Sequence, residues 1–167
     1  LGTEGLLGLP FRAYAELVIG FLVFGVALQH TGGGRFFIDL AFALLGRVRG
    51  GPAKVAILAS GLMGSVSGSV VTNVLTTGQL TIPTMQRNGV RSDYAAGVEA
   101  CASTGGVLLP PVMGSTAFVM ATFLSVPYAD VAAAAALPAL LFFFGLFVQV
   151  DAYAARAGLA GIAADAV

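Results

Sequence analysis

The chain contains very little charge. Only 10% of its 167 residues are Asp, Glu, Lys or Arg, whereas about 25% is usual in soluble domains. Hydrophobic residues make up 57% of the sequence, and the mean hydropathy is +0.93. This composition excludes an ordinary soluble domain and indicates an integral membrane protein. Eight basic and eight acidic residues cancel, and no basic cluster is present, so no nucleic-acid partner is expected.

Cysteine and histidine are almost absent. A single cysteine, Cys101, excludes an internal disulfide and a cysteine-built metal site. A single histidine, His30, argues against a histidine metal site, and no cofactor is expected. The sequence begins with Leu1 and lacks the basic, apolar and cleavage regions of a signal peptide. We therefore expect it to be an excerpt of a longer protein.

Glycine and hydroxyl residues are concentrated in one uncharged stretch, between Lys54 and Arg87. Its centre is GSVSGSVVTN at residues 64–73, where a plain spanning helix would carry Leu, Ile and Phe. Basic residues flank both ends, and cytoplasmic loops carry the excess of Lys and Arg. We predict a re-entrant helical hairpin over residues 52–89, with its turn at residues 67–69. The alternative is a single span whose small residues pack against a neighbouring helix.

The turn of such a hairpin exposes two helix ends. Non-helical backbone at membrane depth is tolerated only where protein or a water-filled cavity surrounds it. The first helix would end with free carbonyls near residues 64–67, which suit a cation. The second would begin with free N–H groups near residues 69–71, which suit an anion. Hydroxyl and amide side chains add neutral oxygens that fit a hard cation such as sodium.

A second interrupted element follows at residues 92–124. Its middle, STGGVLLPP at residues 103–111, combines two glycines with Pro110 and Pro111. These residues cannot continue a helix, so we predict that the helix unwinds here and restarts with Pro111 in its first turn. Interrupted segments of this kind mark binding sites in transporters.

The remaining segments are assigned from their length and charge, and the predicted fold class is all-α integral membrane. The segments are a lead-in at residues 1–12, a scaffold region at 13–50, a second spanning helix at 130–151, and a cytoplasmic tail at 152–167. The scaffold region contains a spanning helix (13–29) and an interfacial arm (36–45). In this arrangement seven of the eight Lys and Arg residues are cytoplasmic. That distribution agrees with the rule that basic residues stay inside.

Two motifs carry a family resemblance, SGS-xxTN-xxTTG at residues 67–78 and ASTGG-xxxPPVMG at residues 102–114. They resemble the large membrane subunit of TRAP transporters, and more narrowly the fused permeases that work with TAXI-type periplasmic binding proteins. The likeness covers nearly the whole chain. It implies half of an elevator-type transporter, in which two inverted repeats each contribute a re-entrant hairpin and a discontinuous helix. The chain departs from the family pattern at position 72, where it has Thr72 and alanine is expected.

The resemblance also implies partners and a location. The partners would be a periplasmic TAXI-type solute-binding protein, the second repeat and the small-subunit helices of the same permease, and the lipid bilayer. The location would be the inner membrane of a bacterium or archaeon, crossed several times. The hairpin and the broken helix would move as a transport domain against a scaffold that includes residues 13–50. Since the sequence lacks the second repeat, this chain alone is not expected to transport.

The helix breaks and the resemblance indicate the same ion site, with sodium as the coupling ion. Oxygens around the hairpin turn and the second break would hold it. The predicted sodium residues are Ser65, Ser67, Gly68, Ser69, Asn73, Ser103, Thr104, Gly105 and Gly106. The predicted substrate path is lined by Thr72, Thr76, Thr77, Pro110 and Pro111. For each serine, packing or hydrogen bonding to its own helix is the alternative.

Glu99 is the only acidic residue that lies well inside a helix and next to a break. A carboxylate buried in a membrane is a candidate for proton or cation handling. Glu99 also lies only about two turns from the predicted helix start at Ser92, from where it could pair with Arg91 at the cytoplasmic interface. Of the two interpretations, we favour the pairing with Arg91.

Together these features predict a sodium-coupled importer, which receives a small organic anion such as a carboxylate from a periplasmic binding protein. A membrane channel or a passive assembly subunit is the first alternative. An intramembrane enzyme is the second, and it is disfavoured because the sequence contains no Ser/His or paired-carboxylate arrangement.

Overall fold

The computed structural model describes residues 11, 15, 19–159 and 161. Seven α-helices and no strand lie within residues 19–159, so the predicted all-α class is confirmed for this part of the chain. The helices are α1 Ile19–His30, α2 Gly33–Leu45, α3 Gly51–Ser67, α4 Val70–Arg87, α5 Ser92–Gly106, α6 Ser115–Leu124 and α7 Tyr128–Ala157. Three parts of the predicted segments lie outside the described residues. They are most of the lead-in, residues 13, 14 and 16–18 of the predicted spanning helix, and residues 160 and 162–167 of the tail.

The first helix of the hairpin, α3, lies at the centre of the fold. It contacts α2, α4, α5 and α7, and most of its residues are buried. Many of these residues are alanine, glycine or serine, which let the neighbouring helices approach closely. One apolar cluster joins α3 to α4, α5 and α7, and a smaller one joins it to α2 through Ile38 and Ala41. The predicted arm is thus a helix packed on the hairpin.

The turn between α3 and α4 has the conformation that its sequence favours. Gly68 ends α3 in the left-handed region, with φ at 61°, where glycine is not strained. Ser69 then caps α4, because its hydroxyl accepts a hydrogen bond from the Thr72 N–H at 3.3 Å. The structure confirms a helix–turn–helix hairpin with its turn in the predicted place. Its insertion into a membrane stays a prediction.

The second break lies later in the chain than predicted. α5 continues to Gly106, and α6 begins only at Ser115, with Gly114 as its N-cap. The prediction that Pro111 opens the second half-helix is therefore wrong, because Pro111 lies in the loop of residues 107–114. Tertiary packing keeps the two glycines helical. A Cβ atom on Gly106 would lie 2.7 Å from the Ser60 carbonyl oxygen, so α3 holds this turn of α5 in place.

The last helix, α7, is the longest, with 30 residues. Among the described residues it is the one helix that is long and apolar enough to cross a membrane, with a mean hydropathy of 2.4 in its most apolar window. It continues for six residues past the predicted end at residue 151. The extension follows from its composition, because residues 152–157 are rich in alanine, the strongest helix former.

Asp151 connects the far end of α7 to the start of the hairpin. Its carboxylate pairs with the Arg49 guanidinium and, at 2.5 Å, with the Lys54 ammonium. Solvent screens exposed ion pairs, which therefore contribute little to stability, so these pairs orient the helices more than they stabilise them. The three charged groups lie at one end of the helices, where the charge distribution had placed the cytoplasmic side.

The backbones of α3 and α5 touch at Gly64 and Gly106. A Cβ atom on Gly64 would lie 2.6 Å from the Gly106 Cα atom, and one on Gly106 would lie 2.9 Å from the Gly64 Cα atom. Real Cβ atoms do not approach backbone this closely. Two glycines are therefore required for the helices to reach this separation.

We predict that Gly106→Ala destabilises the protein, whereas Gly97→Ala does not. Overpacking of a tight contact costs about 1–3 kcal/mol, and the Gly106 methyl group would meet backbone atoms of α3. Gly97 lies in the same helix, and no atom lies within 4 Å of the position that a methyl group would take there. Alanine at position 97 should therefore be neutral or gain up to about 1 kcal/mol of helix propensity. Thermal unfolding of the detergent-solubilised protein measures both effects. Equal unfolding temperatures for the two variants would contradict the close contact.

Candidate functional site

The hairpin tip packs into the loop of the second break. The Val112 N–H donates a hydrogen bond to the Ser65 carbonyl at 3.0 Å, and the Gly114 N–H closes the loop on the Val107 carbonyl at 2.8 Å. A Cβ atom on Gly68 would collide with the Met113 carbonyl oxygen. The two breaks, which are distant in sequence, therefore form one structural unit. We call residues 64–69 and the loop of residues 107–114 the tip unit.

Four helix ends meet in this unit. The C-terminal ends of α3 and α5 approach each other at Gly64 and Gly106, and the end of α3 meets the start of α6 at Gly68 and Gly114. The start of α4 follows directly after Ser69. Helix C-termini carry partial negative charge on their carbonyls, and N-termini carry partial positive charge on their N–H groups. The unit thus places helix ends of opposite partial charge beside one another.

The serines of the tip take part in local hydrogen bonds. The Ser65 hydroxyl donates to the Leu62 carbonyl at 2.8 Å. The Ser67 hydroxyl accepts from the Ser69 N–H at 3.5 Å, and the Ser69 hydroxyl accepts from the Thr72 N–H at 3.3 Å. Each hydroxyl oxygen has two lone pairs, so these bonds fix the serines in place and leave acceptor capacity at the tip.

Asn73 lies deeper than the tip, against the contact between α3 and α5. Its side chain is fully buried, and its Nδ2 atom donates to the Ser60 carbonyl at 2.7 Å. A Cβ atom on Gly64 would lie 2.9 Å from the same Nδ2 atom. The amide therefore bridges the two arms of the hairpin close to the last turns of α3 and α5.

Glu99 is fully buried and surrounded by hydroxyl groups. Its Oε1 atom accepts hydrogen bonds from Ser60 at 2.6 Å, Thr77 at 2.5 Å and Ser103 at 3.2 Å. Its Oε2 atom accepts from Thr81 at 2.6 Å. We call these four hydroxyl groups the hydroxyl cage. They come from α3, α4 and α5, so a single carboxyl group connects three helices.

The favoured pairing of Glu99 with Arg91 is wrong. Arg91 lies exposed at the start of α5 and pairs with Asp93 at 2.7 Å. Glu99 instead lies on the face of α5 that packs against the hairpin, together with Ser103 and Gly106. The short distance from the helix start to Glu99 suggests that its side chain reaches the cytoplasmic interface. The side chain instead points towards the hairpin, and this direction decides its environment.

The structure places ten of the fourteen predicted sodium and substrate residues in two groups. One group lies at the tip and the loop, and it contains Ser65, Ser67, Gly68, Ser69, Pro110 and Pro111. The other lies in the interior, where Ser103 and Thr77 belong to the hydroxyl cage, while Asn73 and Gly106 lie at the helix contact. Gly105 is buried against α7, and Thr104 is exposed and donates to the Ala100 carbonyl of its own helix. Thr72 and Thr76 are half-buried on α4.

Sequence reasoning missed Ser60 and Thr81 as members of the cage. Thr81 could have been found, because Asn73, Thr77 and Thr81 recur every four residues and therefore share one face of α4. Ser60 has no comparable pattern in its surroundings. Only the packing of α3 against α5 brings it to Glu99.

Tyr128 fixes the second break to the start of α7. Its hydroxyl donates to the Pro111 carbonyl at 2.8 Å and lies 2.9 Å from the Val112 carbonyl. Its ring stacks on Phe118 with the centroids 4.3 Å apart. The loop that holds the hairpin tip is therefore supported from the other side by two aromatic rings.

The described residues contain no group of three or more His, Cys, Asp or Glu side chains that could hold a metal ion. A cation at this site would be bound by backbone carbonyls and hydroxyl groups, which are ligands for hard cations.

Residues 4–166 match the family model of the tripartite ATP-independent periplasmic transporter, DctM component. The chain belongs to this TRAP permease family. The match confirms the TRAP permease family that the two sequence motifs resemble. The matching relatives are permeases and not enzymes.

Curated TRAP permeases are similar over much of this chain. The C4-dicarboxylate TRAP transporter large permease protein DctM of Pseudomonas aeruginosa is 36% identical over 141 residues, 84% of this chain and 32% of the relative. DctM of Vibrio cholerae is 34% identical over 114 residues, 68% and 25% of the two chains. The 2,3-diketo-L-gulonate TRAP transporter large permease protein YiaN of Escherichia coli is 30% identical over 109 residues, 65% and 25%. The chain spans about a third or less of these TRAP permeases.

We predict that Tyr128→Phe loosens the loop of residues 107–114 while leaving the helices in place. The variant keeps the ring stack but loses a hydrogen bond, which is worth about 0.5–1.5 kcal/mol. Amide hydrogen exchange in the loop should become faster. Tyr153→Phe is the control, since that ring also stacks, on Tyr94, but lies far from the break. Equal exchange in Tyr128→Phe and the unmodified protein would contradict the role of the hydroxyl.

Proposed function

We propose that this chain forms part of the transport domain of a sodium-coupled importer of small organic anions. The observation that carries the proposal is the meeting of four helix ends at the hairpin tip. Interrupted helices of this kind form the ion and substrate sites of secondary transporters. The proposed location is the inner membrane of a bacterium or archaeon, with several crossings in the complete permease.

The cation site is proposed at the C-terminal ends of α3 and α5. The Ser65, Gly105 and Gly106 carbonyls accept hydrogen bonds from N–H groups of the loop of residues 107–114. A carbonyl oxygen has a second lone pair, and the end of α3 also carries the Ser65 and Ser67 hydroxyl groups. These neutral oxygens suit sodium, which would also offset the partial negative charge of the two helix ends. The described residues supply no carboxylate at the tip, and this favours a weakly held, exchangeable ion.

The anion site is proposed at the starts of α4 and α6. The first N–H groups of a helix attract negative charge, and both helix starts lie within the tip unit. The relatives from Pseudomonas aeruginosa and Escherichia coli are named for a C4-dicarboxylate and for 2,3-diketo-L-gulonate. Both names describe carboxylates, so we propose a carboxylate substrate here.

The proposed partners follow the family. A periplasmic solute-binding protein, proposed to be of the TAXI type, would deliver the anion. The second repeat and the small-subunit helices would complete the permease. The hairpin and the broken helix would then move together, in an elevator mechanism, against a scaffold that includes α2.

The topology can be tested by cysteine labelling in a background with Cys101 replaced by serine. If the hairpin is re-entrant, Arg47→Cys and Arg87→Cys should both react with a membrane-impermeant maleimide from the cytoplasmic side, because both side chains are exposed at its two ends. Val126→Cys, in the exposed link before α7, should react from the opposite side. Labelling of the first two positions from opposite sides would restore a single span in place of the hairpin.

The coupling ion can be tested without knowing the substrate. Sodium should raise the unfolding temperature of the complete permease in detergent, and potassium at equal ionic strength should not. A ligand at 100 times its Kd stabilises by about 2.7 kcal/mol. Gly68→Ala, which drives a methyl group into the Met113 carbonyl, should abolish the sodium effect, whereas Gly97→Ala should keep it. An identical response to both salts would overturn sodium coupling.

A further inference from the structure

The hydroxyl cage around Glu99 connects the whole hairpin to the first half of the broken helix. Ser60 belongs to α3, Thr77 and Thr81 to α4, and Ser103 to α5 itself. All four hydroxyl residues are at most 1% exposed, as is Glu99. The contact therefore lies in the interior of the packed helices and not on a surface that ligands reach.

The surrounding packing leaves room for this one side chain. Gly78, on α4, faces Glu99, and a Cβ atom there would lie 3.3 Å from the Glu99 Cγ atom. A larger residue at position 78 would push α4 away from α5 and lengthen the hydrogen bond from Thr81. Small residues on α4 thus bring the hydroxyl groups within bonding distance of the carboxyl group.

The cage works through hydrogen bonds and not through an ion pair. The salt bridges among the described residues involve Asp93 and Asp151, and none involves Glu99. The cage oxygens contact the carboxyl oxygens directly, at 2.5–3.2 Å. Buried polar groups must be satisfied in this way or they destabilise the fold.

Two of the hydroxyl groups have a second acceptor within reach. The Thr77 hydroxyl lies 2.8 Å from the Asn73 carbonyl, and the Thr81 hydroxyl lies 3.0 Å from the Thr77 carbonyl. A neutral amide in place of the carboxyl group could therefore donate to Thr81, whose own proton would turn to the Thr77 carbonyl. Glutamine at position 99 would still accept from Ser60, Thr77 and Ser103 and would donate one of its two amide N–H groups to Thr81. Leucine would leave the hydroxyl groups without these partners.

The cage is linked to the helix ends that form the tip unit. Ser60 donates to Glu99 with its hydroxyl and accepts from Asn73 with its carbonyl. The Asn73 amide in turn lies against Gly64, about one turn before the end of α3, and against Gly106, the last residue of α5. A change in the position of Glu99 would therefore be transmitted to the spacing between these two helix ends.

We propose that Glu99 is a positioning residue that holds the hairpin and the broken helix at a fixed spacing and thereby sets the geometry of the cation site at their ends. The effect on the cation rests on the proposed function. The effect on spacing stands on the hydrogen bonds alone.

The decisive comparison is between Glu99→Gln and Glu99→Leu in the complete permease. Apparent sodium affinity is measured from the sodium-dependent rise in unfolding temperature. Glu99→Leu should weaken it about tenfold, as the loss of a buried hydrogen bond would. Glu99→Gln should stay within about threefold of the unmodified protein, because its hydrogen bonds can be kept. If Glu99→Gln loses as much affinity as Glu99→Leu, the carboxylate charge is needed and the proposal is wrong. Unchanged affinity in Glu99→Leu would also overturn it.

A milder pair of variants covers the case in which Glu99→Leu does not fold. Thr81→Val removes one hydroxyl group of the cage without changing the shape of the side chain, and it should weaken sodium binding. Thr84→Val is the matched control, since the Thr84 hydroxyl donates to the Leu80 carbonyl on the exposed face of the same helix. Equal sodium affinities for the two variants would contradict the positioning role.

A second readout separates this inference from the proposed function. Amide hydrogen exchange is measured without sodium in residues 64–69 and in the loop of residues 107–114. Exchange should be faster in Glu99→Leu than in Glu99→Gln, whatever ion the permease uses. If the unmodified protein does not respond to sodium at all, sodium coupling is refuted. The exchange result alone then decides the positioning role. Equal exchange in the two variants would overturn it.

Discussion

Backbone groups at a helix break need partners, and here a backbone hydrogen bond joins one break to the other. The Val112 N–H finds the Ser65 carbonyl, and the hairpin tip lies on the Met113 carbonyl. An unsatisfied backbone group in hydrocarbon costs several kcal/mol, so at the predicted membrane depth each break would need the other. The arrangement of α3, α4, α5 and α6 follows from this mutual requirement. The same contact brings the helix ends together, and these ends are the chemical basis of the proposed transport site.

Much of the fold could be predicted from local signals. The hairpin turn was predicted correctly because Gly68 and Ser69 have strong and specific preferences, for a left-handed residue and for an N-cap. The second break was predicted too early. Gly105 and Gly106 were interpreted as helix breakers, yet they remain helical because close contact with α3 and α7 requires their small size. A glycine that breaks a helix and a glycine that admits a neighbour look the same in a sequence, and only the three-dimensional packing distinguishes them.

The site could be predicted in part. The motifs located the tip and the loop, since their glycines, serines and prolines act on the local backbone. The position of Glu99 could not be predicted, because its distance from the helix start was known but the face on which it lies was not. The spacing of Asn73, Thr77 and Thr81 indicated a polar stripe on α4, but a stripe does not identify its partner. That required the contact between α3 and α5, which depends on residues more than 30 positions apart.

The glycine contact between α3 and α5 also limits how this part of the protein can change in length. Ser60 precedes Gly64 by four residues, and Ser103 precedes Gly106 by three, so the hydroxyl cage and the glycine contact lie about one helical turn apart on both helices. Each inserted residue rotates the following part of an α-helix by about 100°. One insertion between the two contacts would turn either the cage or the glycine pair away from its partner. Homologous permeases are therefore expected to vary in residue type at many positions of these helices while keeping these two intervals constant, and to place insertions and deletions in the links outside them.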